Sequence, residues 1–506
     1  MFAIRMMQAS YQDDRADEQN VSMPPQPASV RRMSRVAQIA LPRGHHYAVM
    51  WGIPDNYAGM TNSMLHRSRA FVELTGTDVT IVTYEHRDDY DAVRQRLRDR
   101  GGMIDGMHIA NLWEDLRGWD DEQLKRAEPT FDPGVESTFE PLGERGDHTS
   151  ALQHVLGDGD DIDQIDYFRA DGTMLASDRR RVAGKEDRAF TLCDTSGNPL
   201  GGWRDVWDLY HCWLDSLPRD PVAWFIVDSK TSANHLVEYR RDDVVTLHVV
   251  HASHLEPGSG RPMGTLRESR QYVMERLDEC DAVVFLTQQQ LGEVDALLGP
   301  GPNRHVIPHG RFVPKEPPTH QRNKRHGVML TSLNKRKQIS HAIKAMTRVG
   351  RVGLRRVTLD VWGQGPLQER LQAAIDKSDA PVELRGYSDH AWKEFDKASF
   401  SLLTSSNEAF GLVLVESMGH GCIPISYDMP YGPSEIITHG VNGFLVPEDD
   451  ITGLATEVRR IARASTEELA PIREAAYRRA LEFNDESVTE KWAAVMEEAL
   501  ASKRQA

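Results

Sequence analysis

The chain has 506 residues, enough for about three ordinary domains. Its 76 Asp and Glu against 60 Lys and Arg leave a net charge of -16, which excludes a protein built to coat nucleic acid. Four scattered cysteines, Cys193, Cys212, Cys280 and Cys422, form no Cys-x-x-Cys pair, which excludes a disulfide scaffold or a cysteine zinc site and fits a reducing compartment.

Residues 1–44 are polar, with Pro24, Pro25 and Pro27, and are expected to form a disordered tail without the apolar core of a signal peptide. No apolar run approaches the roughly 18 residues a membrane span needs. The expected location is therefore cytoplasmic, with at most peripheral contact at the inner face of the membrane.

Order is expected from about residue 45. The apolar stretch 47–51 ends at Gly52, Pro54 and Asp55 and reads as a buried strand leading into a loop. A helical pattern then runs from Gly59 past Phe71 to Leu74, and 78–83 reads as a second strand, giving β-α-β. From 101 to 216 the rhythm is expected to stop. Turn signals at 158–160, 170–173 and 194–202, with short strands at 165–169 and 190–193, read as an antiparallel β insertion.

Buried strands return at 222–228, 244–251 and 282–287. Pro308, Pro314, Pro317 and Pro318 mark a hinge. A second α/β series follows, with strands at 327–330, 357–362, 382–384, 400–403 and 423–426, and an amphipathic helix at 486–500. The fold class is α/β, with two Rossmann-like doubly wound domains facing a cleft and an antiparallel β insertion in the first. The expected divisions are 45–100 with 217–312, the insertion 101–216, a second domain 313–484, and a terminal helix 485–506. Ligand should bind between the domains, at the C-terminal ends of the strands.

The chemistry concentrates at 405–421. Glu408 is placed in a loop after a strand, and a helix is expected from Gly411 to Met418, with Glu416 inside it. A glycine-rich strand-to-helix turn offers free backbone N–H groups to a diphosphate. A carboxylate beside a phosphate is repelled by it, so each glutamate is suited to hydroxyls. A sugar nucleotide carries hydroxyls on both sides of its diphosphate.

These residues, with Phe410-Gly411 and Gly419-His-Gly421 as flanks, resemble the paired-glutamate motif of retaining GT-B glycosyltransferases of family 4. The segment 425–445 narrows the resemblance to bacterial wall teichoic acid glycosyltransferases, the poly(glycerol/ribitol-phosphate) α-glycosyltransferase group. Gly59-Met60-Thr61 is similar to that group's Gly-Gly-Met-Thr loop, with Ala58 in place of the first glycine. The resemblance implies a UDP-sugar donor and a retained α linkage. It implies no metal and no cofactor. Glu408 would contact the donor sugar and Glu416 the ribose, with Phe410, Gly411, Leu412 and Gly59 at the donor. Gly363 would lie in a loop lining the nucleotide site and Tyr387 in the base-contacting loop. Lys337 matches the family's phosphate-binding lysine, whereas Ser332 stands where its arginine is usual; Lys335 and Arg336 are the candidates to compensate.

His251 and His254 close the strand before them and are candidates to orient the acceptor or the donor. Their His-x-x-His spacing lacks a third ligand, so a metal is not expected. Residues 304–356 carry 14 Lys or Arg against one acid, Glu316, and should make the cleft basic, with Arg336 and His254 towards the acceptor. The acceptor implied is a hydroxyl of an anionic polyol-phosphate polymer. The alternatives are a serine-rich protein, or a non-catalytic GT-B partner of an active enzyme, favoured by Ser332. The insertion suggests a homo-oligomer; no nucleic-acid partner is expected.

Overall fold

The structure, a computed structural model, describes residues 39–55, 57, 59–127, 150–155, 162–180, 188–318, 322–351 and 356–505. Most of the expected tail, Ala58, the turn at 158–160 and parts of the basic stretch lie outside the described residues. Residues 39–44 are held rather than loose. Leu41 is buried, Pro42 O lies 3.0 Å from His46 Nε2, and Arg43 O accepts from Trp224 Nε1.

Three sheets organise the described residues. The first is wholly parallel, in the spatial order Arg304–Val306, Ala282–Phe285, Val244–Val250, Ala223–Val227, His45–Val49, Val79–Thr83, Met107–Asn111. The second is also parallel, in the order Val382–Gly386, Thr358–Trp362, Asn323–Leu330, Ala398–Leu403, Ile423–Asp428, Phe444–Pro447. Central strands such as Ala223–Val227 and Ala398–Leu403 are buried at every position, as expected where helices cover both faces.

The expectation that the alternation ends at 101 is corrected. Helix Tyr90–Asp99 leads to strand Met107–Asn111, which pairs parallel with Val79–Thr83 and is the edge of the first sheet. An edge strand is only partly covered, so His108 is exposed and the segment reads as polar in sequence. The antiparallel sheet is correspondingly narrower. It is a meander of Ala151–Val155, Ile162–Phe168, Met174–Arg179, Ala189–Cys193 and Pro199–Trp203. Helix Val206–Ser216 returns the chain to the first unit, where buried Trp213 donates from Nε1 to Asp115 (2.8 Å).

The strand order reverses between His45–Val49 and Ala223–Val227 in one sheet, and between Asn323–Leu330 and Ala398–Leu403 in the other. Loops leaving the strands at such a reversal splay apart and leave a crevice. Helix Asp485–Lys503 crosses back onto the first unit, where Trp492 packs edge-on to Phe71 at 6.3 Å and Lys503 Nζ bonds Asp281 at 2.9 Å. Where the chain crosses, Arg311 N donates to Phe483 O (2.9 Å) and Arg311 bridges Asn484. Among the described residues, no helix is long and apolar enough to cross a membrane.

Candidate active site

Between the two sheets lies a cleft of about 330 Å³, within the range of small-ligand sites. Residues after Leu330 and Leu403 line its second-unit side, and residues after Val250 line its first-unit side.

Glu408 sits in the loop after Ala398–Leu403. Two backbone bonds pin it, Glu408 N to Pro430 O (2.9 Å) and Tyr431 N to Glu408 O (2.8 Å). Lys337 Nζ donates to Oε1 at 2.5 Å, Ser405 Oγ donates to the same oxygen at 2.6 Å, and Arg336 Nη1 lies 3.4 Å from Oε2. Burial favours a neutral carboxyl, but the charges of Lys337 and Arg336 and the bonds from Lys337 and Ser405 win and hold Glu408 at about 2. Burial in turn pulls the Lys337 ammonium below its ordinary value. An incoming anion would favour the charged ammonium again.

The helix expected after Glu408 spans Leu412–Gly419. Gly411 caps it at φ 92°, in the left-handed region that glycine occupies without strain, and offers no side chain to the first N–H groups. The Leu412 and Val413 N–H groups are therefore left for a ligand, and both residues line the cleft with Phe410 and Gly411. Glu416, one turn in, accepts from Arg311 Nε at 2.9 Å. Arg311 is only 1 % exposed as a residue, yet it lines the cleft.

Ser332, at the position of the usual arginine, is buried and accepts from Asn334 Nδ2 (3.0 Å). Asn334 Oδ1 in turn accepts from Lys337 N (3.2 Å), so the pair shapes the short 3₁₀ turn Lys335–Lys337. That turn aims Arg336 and Lys337 into the cleft and leaves Lys335 exposed and outside its lining.

On the first-unit side, His251 Nε2 lies 2.7 Å from Asp228 Oδ1. Arg67 grips Asp228 with both terminal nitrogens, at 2.9 and 2.6 Å. Burial favours a neutral Asp228, but the Arg67 charge and the bonds from Arg67 and His251 overcome it and hold the carboxyl low. The His251 ring stacks on His309 at 5.3 Å, and His309 meets Phe410 edge-on at 6.1 Å. Burial, with His251 and Arg311 nearby, keeps His309 well below its usual value and neutral.

The structure separates the remaining candidates. Gly59 and His251 line the cleft, whereas His254 does not. His254 is fully buried, its Nδ1 lies 3.3 Å from the Tyr431 hydroxyl, and burial with Arg261 and Arg270 lowers it to about 4. Three residues along the same loop, the chain has turned it into the packing. Gly363 and Tyr387 also lie outside the cleft lining. A Cβ on Gly363 would come within 1.8 Å of Thr331 O, so this glycine lets two loops close on one another. The Tyr387 hydroxyl donates to Asp389.

Of the described part of the basic stretch, only Arg311, Arg336 and Lys337 line the cleft. Arg304 pairs with Asp278 and Asp295, and Arg322 donates to the carbonyls of Phe395, Ala398 and His420. The cleft instead gains Lys230, Arg267 and Arg270 from the first unit. Sequence reasoning missed these three with Arg67, His309 and Arg311. His309 and Arg311 border Gly310 just after Pro308, beside the hinge proline, which was their one available signal.

Residues 314–479, in the second of the two Rossmann-like units, match the model for glycosyl transferases group 1, and the two units facing a cleft have the GT-B architecture. The chain is 23% identical over 521 residues to the poly(glycerol-phosphate) alpha-glucosyltransferase of Bacillus subtilis, spanning 91% of this chain and 76% of that protein. Its fold superposes on S. aureus TarM, solved with fondaparinux, alpha-GlcNAc-glycerol and UDP, with TM-score 0.66 and 18% identity over 90% of this chain and 99% of that one. It also superposes on the pneumococcal O-GlcNAc transferase GtfA, solved with UDP and GlcNAc, with TM-score 0.63 and 19% identity over 90% and 99%.

Proposed function

We propose that the chain moves a hexose or N-acetylhexosamine from a UDP-sugar, with retention, to a hydroxyl of an anionic polyol-phosphate polymer. The observation that carries this reading is Glu408, held ionised between Lys337 and Arg336 beside the open N-terminus of helix Leu412–Gly419. The helix N–H groups and the two cations suit a leaving diphosphate, and stabilising that charge is the main protein contribution. Glu408 suits a sugar hydroxyl, and Glu416 a ribose. The departing phosphate can take the acceptor proton on the same face, so no separate acid–base pair is required. The reading requires no metal. Arg336 provides the second phosphate-side cation that Ser332 does not.

The cations on the first-unit side favour an anionic acceptor over a serine-rich polypeptide. The test is UDP release from a panel of UDP-sugars, with and without poly(glycerol phosphate), poly(ribitol phosphate) and a serine-rich peptide. Release dependent on a polyol-phosphate polymer is expected. Release with the peptide alone would move the reading to protein glycosylation. UDP-sugar binding without release for any acceptor would move it to a non-catalytic partner.

A further inference from the structure

The segment after strand Ile423–Asp428 lies against the Glu408 loop. Pro430 O accepts from Glu408 N (2.9 Å), Tyr431 N donates to Glu408 O (2.8 Å), and a Cβ on Gly432 would come within 1.8 Å of Phe410 O. A shift of Glu408 therefore carries this segment with it.

The same segment meets the first unit through two side chains. The Tyr431 hydroxyl donates to Glu293 Oε2 (2.9 Å) and lies 3.3 Å from His254 Nδ1. Arg261 pairs with Glu293 and stands over the Tyr431 ring, 4.2 Å from its centroid. Tyr431 is buried, which raises it to about 12, so the hydroxyl keeps the proton it donates. Glu435 accepts from Gln288 N (3.0 Å) and Gln289 N (2.6 Å), the first two amides of helix Gln288–Leu298. A carboxylate there meets the positive end of the helix dipole. The Glu435 carbonyl is held in turn by Arg479.

That helix is also fastened to the loop of His251. Gln290, buried, donates from Nε2 to Ala252 O (2.8 Å), and Ala252 adjoins His251. One helix thus carries, in its first two turns, a bond to the His251 loop, a bond to Tyr431 and the Glu435 contact. Glu293, Tyr431 and Glu435 all stand outside the cleft lining, so they act through the loops they hold.

We propose that Tyr431 and Glu435 are positioning residues that fix the spacing between the Glu408 loop and the His251 loop, with helix Gln288–Leu298 as their mount. This rests on the transferase reading above and deepens it. One loop holds the donor sugar, and the other faces the hydroxyl that receives it. A misplacement of about 1 Å between reacting groups can cost on the order of a hundredfold in rate. Nucleotide binding uses the second-unit wall alone and does not depend on the spacing.

The test compares wild type with the double variant Tyr431→Phe, Glu435→Gln, which keeps the backbone bonds to Glu408. Spin labels on Glu268→Cys and Lys335→Cys, exposed positions in the first and second units, report the distance between the walls, with Cys212→Ser removing the half-buried thiol. Calorimetry gives UDP affinity, and UDP release from a UDP-sugar with poly(glycerol phosphate) gives kcat. One narrow distance distribution is expected in wild type and a longer, broader one in the double variant. Its kcat is expected to fall about tenfold or more. Its UDP affinity should stay within about threefold. Lys503→Gln is the control for lost stability, since it removes a bond of the C-terminal helix to Asp281 outside the cleft lining. It is expected to lower Tm and to leave the label distance and kcat as in wild type. A wild-type distance in the double variant would overturn the proposal, whatever kcat does. So would a wild-type kcat at an altered distance. If wild type transfers to no acceptor, the transferase reading falls, and the distances alone decide whether Tyr431 and Glu435 set the spacing.

Discussion

Lys337 Nζ lies 2.5 Å from Glu408 Oε1, a contact joining a turn of the first βα connection of the second unit to the loop three strands later in the chain. Glu408→Gln keeps the shape and removes the charge. Transfer is expected to fall roughly a hundredfold or more. UDP affinity should hold or rise, because Lys337 and Arg336 are released to the phosphates. Steady-state transfer and UDP calorimetry check this, and unchanged transfer would take Glu408 out of the site.

Lys337→Ala is expected to weaken UDP binding by about tenfold, the scale of one shielded charge-assisted bond. Lys335→Ala should leave it unaltered, since Lys335 is exposed outside the cleft lining. UDP titration of the two variants side by side decides the matter. Equal effects would mean that the turn, rather than the Lys337 ammonium, is what counts.

Asp228→Asn puts a donor amide where His251 Nε2 has its carboxylate acceptor. The ring can then lose its orientation and its favoured tautomer. A fall in kcat on the order of a hundredfold is expected. UDP affinity without acceptor should be unmoved. A kcat equal to wild type would assign the Arg67, Asp228 and His251 chain to stability alone.

Acid should loosen the fold well before Glu408 titrates. His46, His248 and His254 are each lowered to about 4, mainly by burial. A histidine lowered in the folded state gains its proton first when unfolded. Its contribution to stability is therefore intact above about pH 6.5 and is lost as pH falls towards 4. Tm is expected to drop by about 5 °C or more between pH 7.5 and pH 5. A flat Tm over that range would show that these rings charge as easily folded as unfolded. Glu408, held at about 2 against an ordinary 4.5, adds stability that is present above about pH 4.5 and lost only as pH falls through 2.

The strands of both sheets that are buried on two faces were legible as apolar runs, and the Glu408 to Glu416 spacing was legible as a strand-to-helix anion site. Met107–Asn111 was not, because an edge strand carries polar residues where water reaches it. His251 and His254 were equivalent in sequence, and only the turn after Val250 sends one into the cleft and the other towards Tyr431. The basic stretch was visible as charge, but sequence does not tell an arginine that holds carbonyls, such as Arg322, from one that holds Glu416, such as Arg311. Arg67 and Asp228 are 161 positions apart, so their contact comes from the strand order and not from any local pattern.

The polypeptide passes between the halves twice, beside Arg311 and beside Phe483, and the Arg311 amide ties the two passes together. A pair of stitched straps bends about the line of its seam and resists twisting about other axes, as a door does on its frame. A single seam predicts a single opening axis, about which Glu408 and His251 keep the same facing positions.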